Sequence, residues 1–78
     1  MNTLFPERFA ELLKDYTGTY DELAKELGLK SKSNISKYAN GSIKNVNIDM
    51  IMKIANFFDV SPIWLIGLTD DKHFIIKS

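Results

Sequence analysis

Thr19-Tyr20-Asp21-Glu22-Leu23-Ala24-Lys25-Glu26-Leu27-Gly28-Leu29-Lys30-Ser31-Lys32-Ser33-Asn34-Ile35-Ser36-Lys37-Tyr38-Ala39-Asn40-Gly41 is the stretch that decides the fold of this chain. Its first part reads as a short helix with both ends marked. Thr19 and Glu22 have the spacing of a capping box, in which the threonine hydroxyl takes an N–H three residues on and the glutamate reaches back to the cap. Leu23, Ala24 and Leu27 share one face, and Gly28 suits the left-handed residue just past a helix. Ala24 is small, which lets another helix cross closely. The pattern then restarts. Ser31 is the expected N-cap of the next helix, Ile35 and Tyr38 face inward, and Asn40-Gly41 ends it.

Charge singles out the same region. Between Leu27 and Ile48 lie Lys30, Lys32, Lys37 and Lys44 and no acid, although the whole chain balances 10 basic against 10 acidic side chains. A net charge of zero therefore hides a dipolar molecule. The exposed face of the second helix, with its lysines, serines and Asn34, suits the major groove of DNA. Lysine neutralises phosphates, and Ser and Asn both donate to and accept from base edges.

Working outward, Pro6 is expected to open a leading helix, where its missing N–H costs nothing. Phe9, Leu12, Leu13 and Tyr16 continue it as an apolar stripe of helical period, which Phe5 extends backwards. Glu7 and Lys14 agree with the helix dipole, and Thr17-Gly18 closes the segment. Downstream, Ser42 to Val46 reads as a loop. Asn47 caps a helix with Ile51, Ile54, Ala55 and Phe58 inward, and Met50 and Met52 are expected to fill gaps beside that stripe. Asp59-Val60 breaks the pattern. Ser61-Pro62 opens a short last helix through Trp64 and Leu65 to Gly67. From Thr69 onward the reading is a short irregular or β-prone tail, with His73-Phe74-Ile75-Ile76-Lys77 as its β-prone run.

The 78 residues make one domain with a small core, and the absence of cysteine removes disulfides and thiolate metal sites as staples. No run is long and apolar enough to span a bilayer, and no leader pattern opens the chain, so a cytoplasmic protein is expected. His73 has no second ligand nearby in sequence. Glu22 and Glu26 are better explained by capping and solvation than by acid–base work. No nucleophile–base pair, metal cluster or phosphate loop is present, so the reading is not an enzyme, and no cofactor, metal or small-molecule ligand is expected.

Two helices joined by a tight turn form the layout of a helix-turn-helix. Here the chain resembles the Cro/CI-type, or XRE, helix-turn-helix family, which includes phage lambda repressor. The matching residues are Thr19, Glu22, Leu23, Ala24, Leu27 and Gly28, then Ile35, Ser36, Tyr38 and Gly41. Ile51, Ile54, Ala55, Phe58, Val60, Ser61, Trp64 and Leu65 continue the match. The resemblance implies an all-α, five-helix lambda-repressor-like bundle over residues 1–68, followed by a tail over 69–78 that serves as linker or dimer contact. It implies a transcriptional regulator, of the phage or mobile-element repressor kind, that binds a palindromic operator in double-stranded DNA as a homodimer.

Aligned on Ile35 and Gly41, the resemblance places base contacts at Lys32, Ser33, Asn34, Ser36 and Lys37. Phosphate contacts fall at Tyr20, Lys30, Asn40 and Lys44. Tyr20 stands where the family often has a glutamine that braces the backbone contact. Ile63, Ile66, Leu68, Phe74, Ile75 and Ile76 are the dimer candidates, and truncation after Gly67 is expected to weaken operator binding without unfolding the bundle. The chain departs from the family pattern twice. The segment from Gly28 to Ile35 is about one residue longer than usual, and no Gln or Arg opens the recognition helix, so readout falls to lysine and asparagine. The alternatives are a helix-turn-helix module that binds a protein partner, or an antitoxin that binds both a toxin and its own operator.

Overall fold

The computed structural model describes residues 4–43 and 45–74. Over these, five helices follow one another: α1 Phe5–Lys14, α2 Tyr20–Glu26, α3 Ser33–Ala39, α4 Ile48–Phe58 and α5 Pro62–Leu65. No strand occurs among the described residues. The all-α expectation holds.

α1 is the hub, packing on both α3 and α5. Phe9 is fully buried and stacks on Phe5 at 5.6 Å between ring centroids. It meets Tyr38 of α3 and Phe58 of α4 edge-on at 6.5 and 6.4 Å, geometries that suit the ring quadrupole. The stripes read from the sequence supply the rest of the core: Leu12, Leu23, Ala24, Leu27, Ile35, Ile51, Ile54, Ala55, Trp64 and Leu65 are all buried. Met50 joins them, whereas Met52 points outward at 43% exposure and fills no gap.

The helix ends follow local chemistry. The Thr19 hydroxyl accepts the Glu22 N–H at 3.1 Å, but among the described residues Glu22 returns no bond to Thr19, so only half of the box forms. Asn47 caps α4 through the Met50 N–H at 2.8 Å, and Ser61 caps α5 through the N–H groups of Ile63 and Trp64. At the end of α2, Gly28 takes φ +73°. The Leu29 N–H bonds the Ala24 carbonyl and the Gly28 N–H the Lys25 carbonyl, the paired bonds of a Schellman motif. The end of α4 makes the same two bonds with Asp59 in the left-handed position, at φ 56°. α1 starts one residue before Pro6 and stops at Lys14, and α5 stops at Leu65 rather than Gly67.

Thr69 to Lys72 folds back onto the bundle. Arg8 donates to the carbonyls of Trp64 and Thr69, both at 3.2 Å, and to Asp70 at 3.3 Å. The Ser61 N–H bonds the Lys72 carbonyl at 2.8 Å. Arg8 and Lys72 lie over the buried Trp64 ring at 4.7 and 5.3 Å, cation–π contacts that tie the first helix, the last helix and the tail together. Of the β-prone run, His73 and Phe74 lie in a turn and its remaining residues fall outside the described part.

Candidate nucleic-acid interface

The orientation of α3 is set by one side chain and one ring. Ile35 is its only buried residue, at 0% exposure. Tyr38, one turn on, lies edge-on to Phe5 at 6.0 Å. With these two turned inward, helical periodicity sends Lys32, Ser33, Ser36 and Lys37 outward, and all four are exposed. Asn34 is half-buried, less open than the other recognition candidates.

The helix begins later than expected. Its first residue is Ser33 and Lys32 holds the cap position without a side-chain cap bond. Ser31 still serves the helix start from one place earlier, its hydroxyl accepting the Ser33 N–H at 3.1 Å and lying 2.9 Å from the Ser33 hydroxyl. In the turn between α2 and α3, Leu29 packs against the core. Leu29 thus anchors the start of the turn, and Lys30 to Lys32 beyond it are all exposed.

Tyr20 opens α2 and is 39% exposed. Lys30 and Asn40 are exposed. The Asn40 side-chain oxygen accepts the Ser42 N–H at 2.9 Å, which leaves its amide N–H groups as donors. Lys44 lies outside the described residues. Tyr16 braces the start of α2 by donating its hydroxyl to the Thr19 carbonyl at 3.2 Å. Desolvation against its neighbours, with the charges of Glu22 and Glu26, pushes the Tyr16 hydroxyl pKa above its ordinary value.

α2 and α3 enclose an open groove of about 500 Å³, lined by Thr19, Tyr20 and Asp21 on one side and Lys32, Ser33 and Ser36 on the other. It brings a predicted phosphate residue, Tyr20, together with three predicted base residues. It also contains a residue that sequence reasoning missed. Asp21 adds a carboxylate to the groove that Lys32 also lines, and a count of charges beginning at Leu27 leaves it out. The sequence signal was available, since Tyr20 and Asp21 are adjacent in the first turn of α2.

Of the dimer candidates, Ile63 and Ile66 are half-buried, and Leu68 and Phe74 are exposed at 68% and 39%. Ile75 and Ile76 lie outside the described residues. No helix among the described residues is long and apolar enough to cross a membrane.

Two helices set across a glycine-ended turn, the second with its polar face free, define a helix-turn-helix protein. The family model described as Helix-turn-helix matches residues 9–65, and the chain belongs to that family. The chain is similar to a protein of Bacillus subtilis (strain 168) named as an uncharacterized HTH-type transcriptional regulator, YobD. The two are 32% identical over 68 residues, which cover 87% of this chain and 59% of that protein. The chain therefore spans less than two thirds of that relative's length. The comparison with solved structures gave no match.

Proposed function

We propose that this chain is the sequence-specific DNA-binding domain of a transcriptional regulator, acting as a homodimeric repressor on a palindromic operator. α3 enters the major groove with Lys32, Ser33, Asn34, Ser36 and Lys37 toward base edges, while Tyr20, Lys30, Asn40 and Lys44 hold phosphates. One observation carries the reading. α3 hides a single apolar residue and offers lysine and serine on an acid-free outer face, which matches the polyanionic, donor- and acceptor-lined groove it would enter. The family membership and the name of the Bacillus relative support it.

A two-fold dimer would span half-sites about 34 Å apart. Leu68 and Phe74, with Ile63, Ile66, Ile75 and Ile76, are the surface proposed to join the copies. Occlusion of a promoter and a phage or mobile-element role follow the resemblance to lambda repressor.

Selection from a random duplex pool tests the proposal, and a palindromic consensus is the expected result. Binding should weaken with salt at a log–log slope of about −0.9 per phosphate neutralised. Lys37→Ala should relax preference at particular positions, at roughly 1–3 kcal/mol for a base contact, while Lys44→Ala should weaken all sequences alike. An unenriched pool with salt-insensitive binding would point instead to a protein partner.

A further inference from the structure

The groove between α2 and α3 pairs two side chains of opposite character. The Asp21 carboxylate only accepts hydrogen bonds and the Lys32 ammonium only donates them. Both line the same cleft, with Ser33 and Ser36. Both are exposed, and among the described residues the ion pair formed is Arg8 with Asp70, not these two. A lysine and an aspartate that share a cleft without pairing leave one strong donor and one strong acceptor for a third party.

Major-groove edges differ in how they order their groups. A G·C pair presents guanine N7 and O6 as adjacent acceptors, with the cytosine N4 amino donor at the far side. An A·T pair puts its donor between two acceptors and adds a methyl. One cation and one anion lining the same groove suit the first order. Against the second, the carboxylate would face an acceptor on either side of the donor it sought.

Resting on the DNA reading above, we infer that Asp21 is a base-reading residue that, with Lys32, recognises one G·C pair in each half-site. Lys32 donates to guanine O6 and N7, and Asp21 accepts from cytosine N4. The acid contributes most by exclusion: at a wrong pair it is desolvated without a donor, a cost that the cognate site avoids. A local role in the first turn of α2 is available to Asp21, but Glu22 offers the same charge one residue on and lies outside the groove lining. The two acids thus form an internal control.

The test uses the full chain and a selected operator carrying each of the four base pairs at every position, with affinities measured for the parent protein, Asp21→Ala, Asp21→Asn and Glu22→Ala. The expected result is a roughly tenfold preference of the parent for G·C at one position per half-site. Asp21→Ala should erase most of that preference and leave other positions unchanged. Asp21→Asn should shift it toward A·T, since Asn pairs with adenine N6 and N7, and Glu22→Ala should keep it. The inference is overturned if Asp21→Ala tightens every operator equally, which would make the acid a mere repeller of phosphates. It is also overturned if both Asp21 variants leave the preference intact. A parent protein that binds no duplex overturns the DNA reading itself, whereas a parent with sequence preference and indifferent Asp21 variants overturns this inference alone.

Discussion

α3 and α4 are built on opposite terms. α4, Ile48–Phe58, sinks Met50, Ile51, Ile54 and Ala55 into the core, whereas α3, Ser33–Ala39, sinks Ile35 alone. The first is scaffold, and its sequence answers to packing. The second is held by one apolar bolt and by the edge of Tyr38, so its outer residues carry almost no structural duty and answer to whatever they touch. A helix held by one residue also stakes its orientation on that residue.

The largest predicted effect follows. Ile35→Ala should cost about 2–5 kcal/mol, the range for emptying a fully buried aliphatic site. Ile54→Ala in α4 should cost a similar amount, but the two should differ in distribution. Amide exchange in Ile35→Ala should quicken first across α3, because no second buried side chain holds it, while in Ile54→Ala protection should fall throughout. Equal loss everywhere in both variants would break the contrast between a bolted helix and a seated one.

The next effect concerns the clasp made by Arg8. The Arg8 side chain is 15% exposed and donates to two backbone carbonyls while stacking on Trp64. Arg8→Ala should lower stability by about 2–3 kcal/mol, since bonds from a charged donor are worth more than neutral ones. Asp70→Asn should leave the urea midpoint unmoved, because the Asp70 side chain is fully in solvent and such pairs contribute little. If the two variants fall alike, the ion pair and not the carbonyl bonds holds the tail. The clasp also changes how truncation after Gly67 must be read. The cut removes the Thr69 acceptor and the Lys72 bond to Ser61, so a loss of operator binding would mix dimerisation with stability. Leu68→Ser tests the dimer surface more cleanly.

The same contrast separates what the sequence disclosed from what it concealed. The core was legible because Phe9 and Leu12, Leu23 and Leu27, and Ile51 and Ile54 recur at helical spacing, and periodicity is a strong local signal. Caps at Thr19, Asn47 and Ser61 were legible because they act within three residues. Arg8 was not, since its partners lie more than fifty positions away, and nothing local distinguishes a clasping arginine from a solvated one. The late start of α3 was hidden because Ser31 looks like a cap, yet its hydroxyl takes the Ser33 N–H from one place earlier while Lys32 holds the cap position. Asp21 escaped notice because its own helix already gives an acid a reason to be there.

A smaller effect sits where α4 ends. Asp59 adopts the left-handed conformation that Gly28 adopts at the end of α2, but with a Cβ and a negative charge at a helix C-terminus. Asp59→Gly should therefore raise stability by about 1 kcal/mol, read as a higher urea midpoint with an unchanged slope. A lower midpoint would mean that the carboxylate makes a contact worth more than the strain. The scaffold half would then carry a polar obligation of its own.

The smallest effect concerns Tyr16, the residue that joins the two halves. Its ring lies edge-on to Phe57 and Phe58 of α4, both at 5.9 Å, and its hydroxyl holds the Thr19 carbonyl at the start of α2. Desolvation first, and then Glu22 and Glu26, raise its pKa from the ordinary 10.0. A raised pKa in the folded state means that the unfolded chain loses this proton first. The contribution is present in full below the unfolded value and lost as pH climbs through the folded one. Unfolding midpoints measured from pH 8 upward should thus fall at alkaline pH in the parent and fall less in Tyr16→Phe, which has no proton to lose. Tyr16→Phe should start lower at pH 8, having given up the bond to Thr19. Parallel curves would show that the hydroxyl titrates as it does in water, and the link between α4 and the start of α2 would reduce to the contact of the rings.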